Sequence, residues 1–460
     1  GNVAKGQPKI SRDLIRAARQ FIGASLHPIV HNSTSSGYKH QHKKAWARVA
    51  DREAMKKQNS VKHISLERMP NPKDLGADGL SKAMKIAARD NVQDDSFWRH
   101  MAERAMSLSS ELGLPNAASI MNSLTRAGCL ENDFIEVLAN EIKPRLFHAN
   151  EQQIAMIASA LARSQPPGAA YVRPLESVAC ADLATALLAQ VMERRMEFRD
   201  ENSLAMITHG LAKLCLLSPR DATLLAEAIG QSIDRECWHI ANIAIACGAL
   251  SRVGLRCNDF NCGDQSSDSA SADSTGSSSN SKAIFDKFVS IADKTLREAT
   301  ASDASRFLHG LCKAKYDFSN AVDPDILAKL MSQIERRLGA SGCNELTKVL
   351  FSLGLTNDML ADSKDSNKAE RDTEQVMRLM SKTVDVIAKQ SRSARLRDMV
   401  GVLHSCHIWQ VPVMPGSFGK ILDKFDAHLV DDIESRDLLR FGVSISQISV
   451  ISDENITTQQ

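Results

Sequence analysis

The amino-acid sequence predicts an all-α protein, an α-solenoid of about seven to eight two-helix repeats with loop insertions. Three observations lead to this prediction. An apolar helical phrase recurs along the chain, a second amphipathic segment follows most copies, and no stretch alternates apolar with polar residues over the length of a strand. Arrays of this kind bury one continuous core and usually serve as extended binding surfaces.

The recurring phrase is centred on a leucine, which we call the anchor. An apolar residue stands four positions before each anchor, and usually a small residue stands one position before it. Because positions three and four apart share a helix face, and a small residue admits a close neighbour, the phrase predicts stacked helices. The anchors are Leu124, Leu161, Leu211, Leu250, Leu311, Leu353 and Leu403.

Successive anchors are separated by 37, 50, 39, 61, 42 and 50 residues. The longer intervals contain a Pro-rich segment at 165–174, a low-complexity Ser/Asp-rich insertion at 262–281 and a charged insertion at 362–372. We expect these segments to be loops between repeats. Without them the period is about 37 to 42 residues, which is the length of two helices and two turns.

The predicted organisation has three parts. Residues 1–95 form a basic, partly extended N-terminal arm, residues 96–445 form the helical-repeat solenoid, and residues 446–460 form a C-terminal tail. A last short copy of the repeat at 439–443 is a candidate capping helix, since terminal repeats need an atypical outer face.

The net charge of +2 conceals a strong asymmetry along the chain. Residues 1–70 carry a balance of +10, and the remaining 390 residues carry a balance of −8. A basic arm with an aromatic residue is a plausible binder of phosphate backbones, because counterion release supplies affinity. The alternative is a solvated tail or the remnant of a targeting sequence. The candidate RNA contacts of the arm are Lys39, Lys43, Lys44, Trp46 and Arg48.

A basic residue also stands two positions after each of five successive anchors. These side chains should flank the core and reach solvent, and helices about 10 Å apart would space them along an extended polyanion. The alternative is that each cation only stabilises the carboxyl end of its own helix. The five candidates are Arg126, Arg163, Lys213, Arg252 and Lys313.

The phrases MITHGLAKL, IASALARS and FLHGLCKA, at 206–214, 157–164 and 307–314, resemble known helical repeats. They are similar to organellar RNA-binding proteins of the octotricopeptide type and to the repeats that precede RAP domains in protist mitochondrial proteins. The resemblance spans about residues 97–445. It implies work on mitochondrial RNA, by binding transcripts or ribosomal RNA pieces or as a structural ribosomal subunit.

Within this resemblance, base contacts would come from side chains at fixed positions on the anchor helices. Two positions before the anchors the residues are mixed, so a regular base code is not expected. Recognition of the backbone or shape of a folded RNA suits them better than reading of a single strand. They are Asn122, Ser159, His209, Gly248, His309, Phe351 and Gly401.

The sequence contains no catalytic or metal-binding motif, so we expect no enzyme, no cofactor and no small-molecule substrate. The segment GSFGK at 416–420 is too short for a P-loop and predicts a helix start. The cluster of His404, Cys406 and His407, and the pair Cys257 and Cys262, lack the spacing of a zinc site. No apolar run is long enough to span a membrane.

The basic first twenty residues predict the mitochondrial matrix, with the cytosol as the alternative. Ten singly placed cysteines without a CxxC pair indicate a reducing compartment. Two functions follow as expectations. The first is a non-catalytic RNA-binding protein, a component of the mitochondrial ribosome or a factor for ribosomal RNA or transcripts, with other proteins of a large assembly as partners. The second is a protein-only scaffold or accessory subunit of a respiratory complex.

Overall fold

A computed structural model describes residues 71–92, 94–128, 132–164, 177–235, 238–257, 277–362, 366–391, 394–427 and 444. These residues form sixteen α-helices and include no β-strand, which confirms the all-α prediction. The described residues divide into two compact units, the N-terminal unit within 71–145 and the second unit from 146 onward.

The N-terminal unit contains two helix pairs. Helix α1 contacts α3, and α2 contacts α4, so equivalent helices of the two pairs lie side by side. Since α1 falls inside the range 1–95 predicted as the arm, the repeats begin before residue 96. The four helices are α1 (Ala77–Arg89), α2 (Asp95–Ser107), α3 (Leu114–Ala127) and α4 (Asn132–Ile142).

The second unit contains six further pairs. They are α5 (Glu151–Ser164), α6 (Val178–Arg194), α7 (Glu201–Lys213), α8 (Pro219–Arg235), α9 (Ile240–Arg252), α10 (Ser277–Thr295), α11 (Ala301–Lys313), α12 (Ile326–Arg337), α13 (Cys343–Ala361), α14 (Ser366–Gln390), α15 (Leu396–Ile408) and α16 (Pro415–Ala427). Short 3₁₀ helices lie at Pro72–Asp74, Ser109–Glu111, Lys143–His148, Leu296–Glu298, Phe318–Asn320 and Leu338–Ala340.

The second unit is a two-layer solenoid. Each odd-numbered helix from α5 to α15 contacts the next odd-numbered helix, and we call this row the anchor layer. The even-numbered helices from α6 to α16 contact one another in the same way and form the second layer. Each helix also contacts its pair partner. With the two pairs of the N-terminal unit, the described residues hold eight two-helix repeats, in agreement with the predicted number.

All seven anchor leucines are buried, and each lies on an odd-numbered helix. The position before the anchor is buried in every copy as well. At Gly210 this position meets the backbone of Ala158 on the neighbouring helix, where an added Cβ would lie 2.8 Å from the carbonyl oxygen. The apolar stripe with its small residue is therefore the contact face between helices of the anchor layer, as predicted.

Three anchor helices end in the same way, at a fixed distance from the anchor. The residue four positions after the anchor adopts a left-handed conformation in Cys215, Gly254 and Lys315. The next amide donates a hydrogen bond to the anchor carbonyl, from Leu216 to Leu211 at 3.2 Å and at the equivalent positions of α9 and α11. This Schellman motif makes the basic residue two positions after the anchor the last residue of its helix.

The structure corrects two of the predicted loop insertions, because part of each is helical. Residues 366–372, which we predicted as part of a charged loop insertion, form the first turns of α14, and residues 277–281 begin α10. Ser, Lys and Glu are tolerated in the first turns of a helix, so polarity alone misplaced the boundary. The segments 165–174, 262–276, 439–443 and 446–460 lie outside the described residues.

Candidate nucleic-acid interface

A groove crosses the face of the anchor layer and encloses a cavity of about 760 Å³. Its lining comes from all six helices of the layer, α5 to α15, and from Trp409 just after α15. We call it the anchor-layer groove. The lining residues are Ser159, Ala162, Arg163, Met206, His209, Lys213, Ala244, Ile245, Gly248, Arg252, Ser302, Ser305, Arg306, His309, Lys313, Thr347, Lys348, Phe351, Ser352, Gly401, His404, Ser405, Ile408 and Trp409.

The helical register explains which residues line the groove. The positions two before and two after an anchor are four residues apart, so they lie on one face of the helix. Examples are the pairs His209 with Lys213 and His309 with Lys313. Six of the seven residues singled out two positions before the anchors line this groove, from Ser159 to Gly401. Asn122 belongs to the N-terminal unit.

Four of the five cations of the predicted basic row meet in the groove, namely Arg163, Lys213, Arg252 and Lys313. They are exposed or half-buried, as expected for side chains that flank the core. Arg126 is exposed at the end of α3 in the N-terminal unit. The arm candidates Lys39, Lys43, Lys44, Trp46 and Arg48 lie outside the described residues.

The structure adds two cations that the sequence reasoning missed, Arg306 and Lys348. Both stand five positions before an anchor, which is three before the groove-facing position and therefore on the same helix face. That register was the available signal. The groove thus has six permanently basic side chains, and none of the described residues that line it is acidic.

The cations are close enough to repel one another. Burial, and then the charges of Arg163 and Arg252, lower the pKa of the Lys213 ammonium group. Burial and the charge of Arg252 lower the pKa of Lys313 in the same way. Stabilisation of the carboxyl end of each helix accounts for one cation per helix, but it does not require the cations of different helices to converge.

Two histidines share this positive environment. The pKa of His209 is lowered to about 4. Burial has the largest effect, and four neighbouring charges lower the pKa further, those of Arg252, Lys213, Arg306 and Arg163. The pKa of His309 also falls to about 4, because of burial and the charges of Lys313 and Arg252. Both imidazoles are therefore neutral near pH 7.

Three lysines of the second layer form ion pairs with acidic residues on the neighbouring helix. Lys287 of α10 lies 2.6 Å from the carboxylate of Asp234 on α8. Lys329 of α12 lies 2.7 Å from Asp293 on α10, and Lys382 of α14 lies 2.7 Å from Glu335 on α12. This ladder of ion pairs neutralises cations along the second layer. The cations of the anchor-layer groove, by contrast, have no acidic residue among the described lining residues.

One end of the groove is aromatic. The ring of Phe351 is 5.9 Å from His309 and 5.4 Å from Trp409, measured between ring centroids. The indole N–H of Trp409 donates to both carboxylate oxygens of Asp358 at 3.0 Å, which holds the indole in place. The groove therefore joins a cationic stretch to an aromatic end.

The segment 416–420 lies in the first turns of α16, as predicted for a helix start. Within the described ranges, no three His, Cys, Asp or Glu side chains are grouped so that they could hold a metal ion. None of the described helices combines the length and the apolar character that crossing a membrane requires.

Comparison with known proteins leaves this description unchanged. No protein-family model matches the chain, and no curated protein matches it. One solved structure with some similarity is a "Circular tandem repeat protein with novel repeat topology and enhanced subunit contact surfaces", which is 12% identical with a TM-score of 0.21. The alignment covers 95% of this chain and 96% of that chain. This likeness is too low to support an inference, so the fold rests on the helix contacts given above.

Proposed function

We propose that this protein is a non-catalytic RNA-binding solenoid that holds RNA in the anchor-layer groove. The observation that supports the proposal is the concentration of Arg163, Lys213, Arg252, Arg306, Lys313 and Lys348 in a groove without an acidic lining residue among those described. Cations held together in this way lower one another's pKa, and a polyanion would relieve the repulsion. Phosphates are the anions that a row of Arg and Lys spaced across five helices suits best.

The proposed affinity is mainly electrostatic. Each cation that neutralises a phosphate releases condensed counterions, so the logarithm of the binding constant falls with the logarithm of the salt concentration. Six contacts on a single strand correspond to a slope of about −4, and the basic arm would make it steeper. The histidines, which are neutral near pH 7, are available as hydrogen-bond partners rather than as charges.

For the biological setting we propose a component of the mitochondrial ribosome, or a factor that binds ribosomal RNA or transcripts, in the mitochondrial matrix. The support is the resemblance of the repeat phrases to organellar RNA-binding proteins and the basic first residues of the chain. A large assembly would supply protein partners. Purification from the native organelle, followed by sequencing of the RNA and identification of the proteins that copurify, tests this setting.

The groove itself is tested with a charge placed in its middle. Gly248 lines the groove, and a Cβ built on it meets nothing within 4 Å, so Gly248→Glu places a carboxylate at an open position of the groove. Gly419 in α16 of the second layer is equally open, which makes Gly419→Glu the matched control. The measurement is fluorescence anisotropy of labelled RNA with the full chain over a salt series.

We expect Gly248→Glu to weaken RNA binding roughly tenfold or more at low salt, and Gly419→Glu to bind as the wild type does. Equal loss in both variants would show that overall charge, not the groove, controls binding. No binding of RNA by the wild type at low salt would overturn the proposal.

The alternative is a protein-only scaffold or accessory subunit of a mitochondrial, for example respiratory, complex. The balance of −8 beyond residue 70 favours it, because an acidic body is repelled by RNA outside the groove. Here an acidic peptide segment would occupy the groove. A polyglutamate peptide that binds tightly, together with RNA that fails to compete with it, would support this alternative.

A further inference from the structure

Phe351 is an exposed aromatic residue in a groove whose described charged lining residues are all cationic and whose lining also includes apolar residues such as Met206 and Ile408. It stands two positions before the anchor Leu353 on α13, and its side chain retains 45% of its accessible surface. An isolated exposed apolar residue is ordinary on a protein surface. A phenyl ring that lines a cationic cavity and is supported by two other rings is a more specific arrangement.

The support beneath Phe351 is rigid. Trp409 is bound through its N–H to Asp358 and lies directly over Gly354, where an added Cβ would overlap the indole ring. Its ring meets Phe351 edge to face, at an interplanar angle of 73°. His309, on the neighbouring helix, meets Phe351 at a tilt of 37°. The phenyl ring is thus held in position while part of its surface faces the cavity.

Cations lie next to this ring along the same groove. Lys348 is one helical turn before Phe351 on α13, and Lys313 is one turn after His309 on α11. An aromatic face beside phosphate-binding cations is the combination by which proteins hold single-stranded nucleic acid, with the base on the ring and the backbone on the cations. In a duplex the base faces are covered by their neighbours, so they cannot reach such a ring.

We infer that the anchor-layer groove binds single-stranded RNA and that Phe351, supported by Trp409 and His309, is a stacking site for one base. This inference rests on the proposed RNA binding and makes its substrate class specific. It departs from the expectation of folded RNA drawn from the sequence, because the exposure of Phe351 and its ring contacts are visible only in the folded chain.

The experiment uses the full chain and a short single-stranded RNA that carries 2-aminopurine, whose fluorescence is quenched by stacking, at one position after another. Phe351→Ala removes the ring, Phe351→Leu retains an apolar side chain without an aromatic face, and Phe351→Trp restores one. Phe147, which is more exposed than Phe351 and is not among the lining residues, provides the control variant Phe147→Ala. Circular dichroism and the thermal midpoint check that each variant is folded.

We expect Phe351→Ala and Phe351→Leu to weaken single-strand binding roughly tenfold and to remove a position-specific change in fluorescence, while the salt slope stays constant. Phe351→Trp should restore both. A duplex of the same sequence should compete more weakly than the single strand. If the variants bind like the wild type, or if the duplex competes equally, the stacking inference is overturned while the proposed RNA binding stands. If the wild type binds no RNA at low salt, both proposals fall.

Discussion

Gly210 lies so close to Ala158 that a Cβ on the glycine would sit 2.8 Å from both the Cβ and the carbonyl oxygen of the alanine. The two residues belong to α7 and α5, adjacent helices of the anchor layer. Because one of the opposing atoms is backbone, the contact cannot be relieved by a change of rotamer. The spacing between these two helices therefore depends on the absence of a side chain at residue 210.

Substitution of this glycine should destabilise the solenoid. We expect Gly210→Leu to lower the free energy of unfolding by about 1 to 3 kcal/mol or more, and even Gly210→Ala to be destabilising, because the helices must separate. Gly310→Leu should act similarly, since its Cβ would meet the Sγ atom of Cys247 at 2.6 Å. Chemical unfolding followed by circular dichroism provides the measurement.

Gly248→Ala is the matched control for these substitutions. Gly248 is also a helical glycine of the anchor layer, but its Cβ position is open. Replacement by alanine should raise the free energy of unfolding by up to about 1 kcal/mol through helix propensity. Unchanged midpoints for Gly210→Ala and Gly310→Leu would mean that this face is not the contact between the helices.

Neutralisation of one groove cation should reduce both RNA affinity and its salt dependence. Lys213→Ala removes a cation whose pKa is lowered by burial and by the charges of its neighbours, and the salt slope should become shallower by about 0.7. Lys382→Ala removes the same charge from the second layer, where Lys382 pairs with Glu335, and should leave the slope unchanged. The slope is measured from binding isotherms at several salt concentrations. Equal effects of the two variants would contradict RNA binding in the anchor-layer groove.

The two groove histidines should make stability depend on pH. Their pKa values in the folded chain are about 4, below the ordinary value of 6.5, so the unfolded chain takes up their protons first. Above about pH 6.5 the two histidines do not reduce the free energy of unfolding. As the pH falls from about 6.5 to about 4, they reduce it progressively. The double variant His209→Gln, His309→Gln should show a shallower decline of the thermal midpoint in that window.

RNA binding should be linked to the same protons. Phosphates in the groove would raise the pKa of His209 and His309 from about 4, so binding takes up protons and becomes tighter as the pH falls toward that value at constant ionic strength. The double glutamine variant should lose most of this dependence. If the affinity of the wild type stays constant as the pH falls toward about 4, the phosphates do not bind near the two histidines.

Gly354 should be as intolerant of substitution as Gly210, for a different reason. Its added Cβ would overlap the indole ring of Trp409, which is itself tied to Asp358. We expect Gly354→Ala to lower the free energy of unfolding by about 1 to 3 kcal/mol and to displace Trp409 and with it the support of Phe351. A shift in tryptophan fluorescence that is absent in the variant Trp409→Phe would assign the change to this indole.

Several features of the fold could be read from the sequence. The anchor leucines, the small residue before them and the basic residue after them obey helical periodicity, which specifies the angle of each side chain around its own axis. Burial of the anchors and exposure of the cations followed from that angle alone. The first residues of α10 and α14 could not be predicted in this way, because polar residues at a helix start resemble a loop in composition.

The candidate site shows the same division. Periodicity placed Arg163, Lys213, Arg252 and Lys313 on equivalent faces of four helices. The same register places Arg306 and Lys348 on that face, but it could not indicate that the second-layer lysines Lys287, Lys329 and Lys382 are paired with acids. Those outcomes depend on distances between helices that are separated in sequence by intervals of unequal length.

The helical class, the repeat and the side of each helix on which the chemistry lies can thus be predicted from the amino-acid sequence, because they depend on spacings within one helix. The convergence of the cations on one groove, the support of Phe351 by Trp409 and His309, and the place of Arg126 in a different unit are visible only in the folded chain. The physical reason is that charge repulsion, ion pairing and ring contact act over a few ångströms. Such distances are set by how whole helices are stacked.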